Sequence, residues 1–154
     1  MMVRMIAAAP LALAAAAVAS AQAPQPSYAT APALPGSWGY RAIAGGSEAA
    51  FVDTAGIRRL VVQCTRANRV LSLSMTSVAP AQSLVVWTSS GSRALPANYD
   101  QRSFQVVAAV AAQDPLLDAI AFSRGRFALS IPGSPAVVLQ PQPEFERTIE
   151  DCRI

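Results

Sequence analysis

The sequence predicts a mainly β fold: an antiparallel, β-sandwich-like domain of six to eight short strands with two short helices, at about 114–122 and 143–152. Three observations carry that expectation. Short apolar runs alternate with period two, turn-forming residues separate them at regular intervals, and only two stretches have helical spacing. Runs of strands with few helices point to sheet packing as the source of the core.

The strands follow in chain order. SWGYRAI (37–43) is the first stretch with alternating aromatic and polar character. In IRRLVVQC (57–64), Leu60, Val62 and Cys64 fall on one face, and Arg59, Val61 and Gln63 on the other. TRAN (65–68) supplies turn residues, and RVLSLSM then sets Leu71, Leu73 and Met75 against Ser72 and Ser74, which makes a hairpin with one buried face. SLVVWT (83–88) and SFQVVAAV (103–110) are further strands, with Gly91 and a turn at LPAN (95–98) between them. RFALSI (126–131), the turn Pro132-Gly133-Ser134 and AVVLQ form a second hairpin.

The first helix is expected in DPLLDAIAFSRGRF (114–127). Asp114 followed by Pro115 is an N-cap acid followed by proline at the first helical position, and Leu116, Leu117, Ile120 and Ala121 have helical spacing. Gly125 in SRGR gives the backbone freedom to leave a helix and start a strand. The second helix is PEFERTIEDCRI, where Phe145, Ile149 and Cys152 sit at i, i+4 and i+7 on one face.

Ahead of the strands, MMVRMIAAAPLALAAAAVASAQA reads as a secretory signal peptide: Arg4, an apolar run to about Val18, then Ala19-Ser20-Ala21, with cleavage after Ala21 rather than Ala23. The apolar run is short against the roughly 20 residues needed to span a bilayer. No cysteine follows it, so a lipid anchor is disfavoured, and no later segment spans a membrane. Residues 22–36, rich in Pro and Ala, read as a flexible leader, and 37–154 as a single β-rich domain in the periplasm or secreted.

Composition narrows the chemistry. The chain has no histidine, and all twelve of its basic residues are arginine. Without histidine there is no Ser-His-Asp or Cys-His catalysis and no histidine-ligated metal; without lysine there is no Schiff base or phosphate-loop lysine. No metal or cofactor is expected. Eleven arginines against nine acids after the signal leave +2, too little to argue for nucleic acid.

Two cysteines in an exported chain are expected to pair, so Cys64 and Cys152 would form a disulfide holding the last helix against the sheet. A terminal helix of about ten residues is marginal in water without such help.

The remaining candidates are charged. Asp114 and Asp118, four apart on a helix, could act as paired carboxylates, but capping explains the first and helix exposure the second. Arg124 and Arg126, with Asp118, form the candidate anion- or partner-binding set, since two guanidiniums can hold a carboxylate, phosphate or sulfate. Glu146 with Glu150, and Arg147 with Asp151, read as a solvated helix face, and Arg58 and Arg59 as edge or surface positions. Trp38, Tyr40 and Trp87 fit the core or its rim better than a ligand groove.

The combination of DPLLDAIAFSRGRFAL, a strand pair and RTIEDCR resembles a group of small exported proteins of Gram-negative bacteria that carry no assigned activity. The resemblance covers roughly residues 37–154 and implies an exported β-domain with a terminal cysteine and no catalytic residue. In layout more than motif, the chain is distantly similar to the invasion-associated locus B family. It departs from that family in lacking a second intradomain cysteine pair and lysine-rich strands.

The expected function is therefore non-catalytic. It would be a periplasmic domain that binds a protein or envelope component, or supports the envelope. The alternatives are an inhibitor of an envelope-directed hydrolase, using the SRGR loop, or a hydrolase using Asp114 and Asp118.

Overall fold

In IRRLVVQC and RVLSLSM the predicted alternation becomes a ladder. β3 (Arg58–Thr65) and β4 (Val70–Thr76) pair antiparallel, with Leu60 opposite Met75, Val62 opposite Leu73 and Cys64 opposite Leu71. All six side chains are buried on one face. A computed structural model of the chain describes Tyr28 and residues 30–154. The expected signal peptide, its cleavage position and most of the first half of the leader lie outside the described residues.

The other strands are β1 (Gly36–Ile43), β2 (Gly46–Asp53), β5 (Ser83–Thr88), β6 (Gly91–Asp100), β7 (Gln105–Ala111), β8 (Phe127–Ser130) and β9 (Val137–Leu139). All nine join in one antiparallel order, β1-β2-β3-β4-β7-β6-β5-β8-β9. The sheet curls so that its two ends meet. The Leu34 N–H donates to the Val138 carbonyl at 2.8 Å, and Trp38 Nε1 donates to the Gln140 carbonyl at 3.0 Å. Mainly β architecture with two helices is what the sequence predicts.

Two of the nine strands were not expected. β2, GSEAAFVD, has weak strand preference over its first five residues, Gly46 to Ala50, and only Phe51 and Val52 favour a strand; pairing with β1 and β3 on either side imposes its extended form. Its first residue must be glycine, because a Cβ at Gly46 would lie 1.9 Å from the Cys64 carbonyl oxygen. The LPAN segment, expected as a turn, runs inside β6 instead. That strand pairs with β5 up to Pro96 and with β7 from Ala97 onward. Proline, which has no N–H to donate, sits at the changeover between the two ladders, where one donor fewer is tolerated.

Helix α2 (Pro143–Arg153) lies against β1 to β4 and buries Phe145, Thr148, Ile149 and Cys152. Phe145 packs between Trp38 and Phe127, with ring centroids 5.6 and 5.7 Å away. Cys152 is bonded to Cys64 with a Cα–Cα distance of 5.5 Å, within the usual disulfide span. Helix α1 (Pro115–Ala121) connects β7 to β8 and buries Leu116, Leu117 and Ile120. Among the described residues, no helix is long and apolar enough to cross a membrane.

Candidate functional site

The α1 corner carries the sequence-predicted site residues, and the geometry separates them. Asp114 is the N-cap: its Oδ1 accepts the Leu116 N–H at 2.8 Å, and Arg93 from β6 meets both its oxygens at 2.9 and 2.7 Å. The Arg93 guanidinium, assisted by the helix N–H, holds the Asp114 carboxyl below the usual aspartate range against a smaller opposing effect of burial. Asp118 bonds to Arg153 Nη2 of α2 at 2.8 Å. The two acids thus have different arginine partners on different elements.

Arg124 and Arg126 do not join Asp118 in an ion pair among the described residues. Arg126 turns towards the leader and donates to the Ala31 carbonyl. Arg124 is exposed, and its backbone N–H donates to Ser89 Oγ at 3.3 Å. Buried Ser123 fixes the turn between them: its hydroxyl donates to the Arg126 carbonyl at 2.6 Å and accepts the Ser89 N–H at 2.9 Å. The expected three-residue set is therefore dispersed. Arg153, which the sequence reading passed over, is the residue that engages Asp118, and it also bonds Glu150 at 3.1 Å. Asp118 instead borders a groove of about 330 Å³ between the helices, together with Glu146, Glu150, Arg153 and the exposed Phe122.

The expected solvated face of α2 also does more than meet water. Arg147 stacks over the Tyr40 ring at 4.1 Å, and Asp151 accepts the Tyr40 hydroxyl at 2.6 Å. That hydroxyl is the main cause holding the Asp151 carboxyl below its usual range. Tyr40 is therefore a rim residue binding β1 to α2, and Trp38 belongs to the core.

Arg58 and Arg59 belong to β3, which has neighbours on both sides, so of the expected edge or surface placement they take the surface one, with 45% and 39% of their side chains exposed. Arg59 Nε bonds Asp53 Oδ2 at 2.6 Å, while Asp53 Oδ1 accepts the Ala55 and Ile57 N–H groups at 2.9 Å each. The Ile57 N–H contributes most to keeping that carboxyl ionised below its usual pKa. Arg58 reaches Glu48 of β2 instead, and Arg41 of β1 meets the same carboxylate oxygen, Oε1, through Nε and Nη2 at 3.0 Å each. Glu48 draws the Arg41 pKa still higher.

These three charges lie on the outer face of the sheet. They flank a shallow trough of about 350 Å³ floored by Gly39, Ala50 and Val52. Sequence reasoning missed Glu48 because it did not assign β2. The available signal was the hairpin turn at Ala44-Gly45, where Gly45 adopts φ 75°: Arg41 and Glu48 are symmetric about it and become directly opposed.

No known family, curated protein or solved structure matches the chain.

Proposed function

We propose that this chain is an exported, non-catalytic binding domain of the bacterial envelope, secreted through an N-terminal signal peptide and stapled by the Cys64–Cys152 bond. The observation that carries the reading is the use made of its acids. With histidine and lysine absent, carboxylates are the main catalytic resource, and the pair that the first helix offers for catalysis, Asp114 and Asp118, is engaged elsewhere. Asp114 caps a helix and grips Arg93, and Asp118 grips Arg153. A general acid working near neutral pH needs a raised pKa, whereas the surroundings of Asp114 lower it. The bond between Cys64 and Cys152 fits an oxidising compartment.

Expression in a Gram-negative host tests both halves of the proposal. The mature chain should be recovered from the periplasm, lighter than its reduced mass by the two hydrogens a disulfide removes. The purified protein and its Asp118→Asn variant should release no reducing ends from envelope glycan above a protein-free control. Cytoplasmic retention with free thiols would refute export. Glycan cleavage by the wild type, lost in a folded Asp118→Asn variant, would refute the non-catalytic reading.

A further inference from the structure

The outer-face trough has the parts of a small-ligand site: two exposed cationic side chains, a buried group that positions them, and a floor of small and apolar residues. Glu48 has only 9% of its side chain exposed, whereas Arg41 and Arg58 are 63% and 45% exposed. Because both guanidiniums meet one oxygen of that carboxylate, they are drawn together at the trough, and each has further N–H groups beyond the contact with Glu48. Gly39 and Ala50 face each other across β1 and β2, so the floor between the arginines is low enough for an apolar body to lie on it.

We propose that this trough binds an organic carboxylate, with the carboxylate held between Arg41 and Arg58 and its apolar body resting on Gly39, Ala50 and Val52. Charge decides the class. Two arginines offset by one ionised glutamate leave one net positive charge, which matches a monoanion and under-compensates a dianionic phosphate. Guanidinium geometry suits a carboxylate, because its planar fork can give parallel hydrogen bonds to both oxygens. Glu48 is a positioning residue: it fixes the two guanidiniums before the ligand arrives, so less side-chain freedom is lost on binding. The same chemistry could come from a free organic acid or from the C-terminus of a polypeptide. This inference deepens the binding-domain reading and can fail without it, since a domain that ignores small carboxylates can still be exported and non-catalytic.

The test is an NMR titration of the oxidised, ¹⁵N-labelled protein with hexanoate, N-acetyl-leucine, N-acetyl-leucine amide and inorganic phosphate. Saturable shifts confined to residues around Arg41, Ala50 and Arg58 are expected with the two carboxylates and not with the amide. A tighter response to N-acetyl-leucine assigns the site to a polypeptide terminus, and a tighter response to hexanoate to a free acid. Arg41→Gln and Arg58→Gln should each weaken binding by roughly ten- to a hundredfold, as loss of a charge-assisted hydrogen bond implies. Ala50→Asp keeps both arginines but puts a negative charge on the floor, and it should abolish the shifts in a protein that still melts cooperatively. Absence of shifts with either carboxylate, binding that survives these substitutions, or phosphate binding more tightly than both acids would overturn the proposal.

Discussion

Helices α1 and α2 both close the curled sheet, but they are held by different forces. α2 runs for eleven residues with Phe145, Ile149 and Cys152 in the core and a covalent bond to β3. α1 has seven residues, and although Leu116, Leu117 and Ile120 are buried, its first turn depends on Asp114 and Arg93. Beyond its end, Phe122 projects with 81% of its surface exposed. A long apolar stripe with a cross-link makes a helix part of the core. A short helix between strands needs polar groups at its ends, because one hydrogen-bonded turn barely offsets the cost of nucleating it. Of the charged residues at the α1 corner, Asp114, Asp118 and Arg126 each have a structural partner, in Arg93, Arg153 and the Ala31 carbonyl.

The sharpest way to break this contrast is to remove the staple. Cys64 and Cys152 are 88 residues apart, and for a loop of that length the chain-entropy relation gives about 4 to 5 kcal/mol. Urea unfolding of the double Ser variant should show a loss approaching that size. Amide exchange should then open α2 before α1, reversing their order in the oxidised protein. If the loss stays within a few tenths of a kcal/mol, packing alone holds α2. Next in size, Ile120→Ala deletes a fully buried side chain of α1 and should cost about 2 to 4 kcal/mol in the same assay. A cost below about 1 kcal/mol, typical of surface sites, would mean that α1 contributes little to the core.

The smallest effect bears on the cap. Asp114→Ala should cost about 1 kcal/mol at neutral pH, the usual value of an N-cap side chain. Its pH dependence carries a sign. Arg93 and the Leu116 N–H lower the folded pKa beneath the ordinary 3.8, so the contribution is complete above the unfolded value and disappears as pH falls through the folded one. Chemical denaturation across the acid range should therefore show wild type and variant converging only in strong acid. Convergence between pH 5 and 7 would contradict the assignment.

These contrasts also show what the sequence could and could not disclose. Phe145, Ile149 and Cys152 were legible because helical spacing and an even cysteine count depend on the chain alone. Asp114 was legible because a cap is local. β2 was not, since GSEAAFVD becomes a strand only through neighbours on both sides, and LPAN looked like a turn because Pro96 marks a change of partner that only the assembled sheet reveals. The same limit scattered the expected Asp118, Arg124 and Arg126 set. Arg153 is 35 residues from Asp118, and nothing in local spacing indicates that the two helices bring them together. Glu48 is a different case: it lies only 7 residues from Arg41 and 10 from Arg58, and it was hidden because β2 was not recognised as a strand.

The corner that first suggests a site is best tested by the titration of one group. An NMR pH titration of the Asp114 carboxyl in the oxidised protein reads directly whether its surroundings favour the ionised or the protonated form. The expected result is a pKa below the ordinary 3.8, as a capping carboxylate gripped by Arg93 requires. A pKa raised towards neutrality, as a general acid needs, would contradict the structural assignment and reopen the catalytic one.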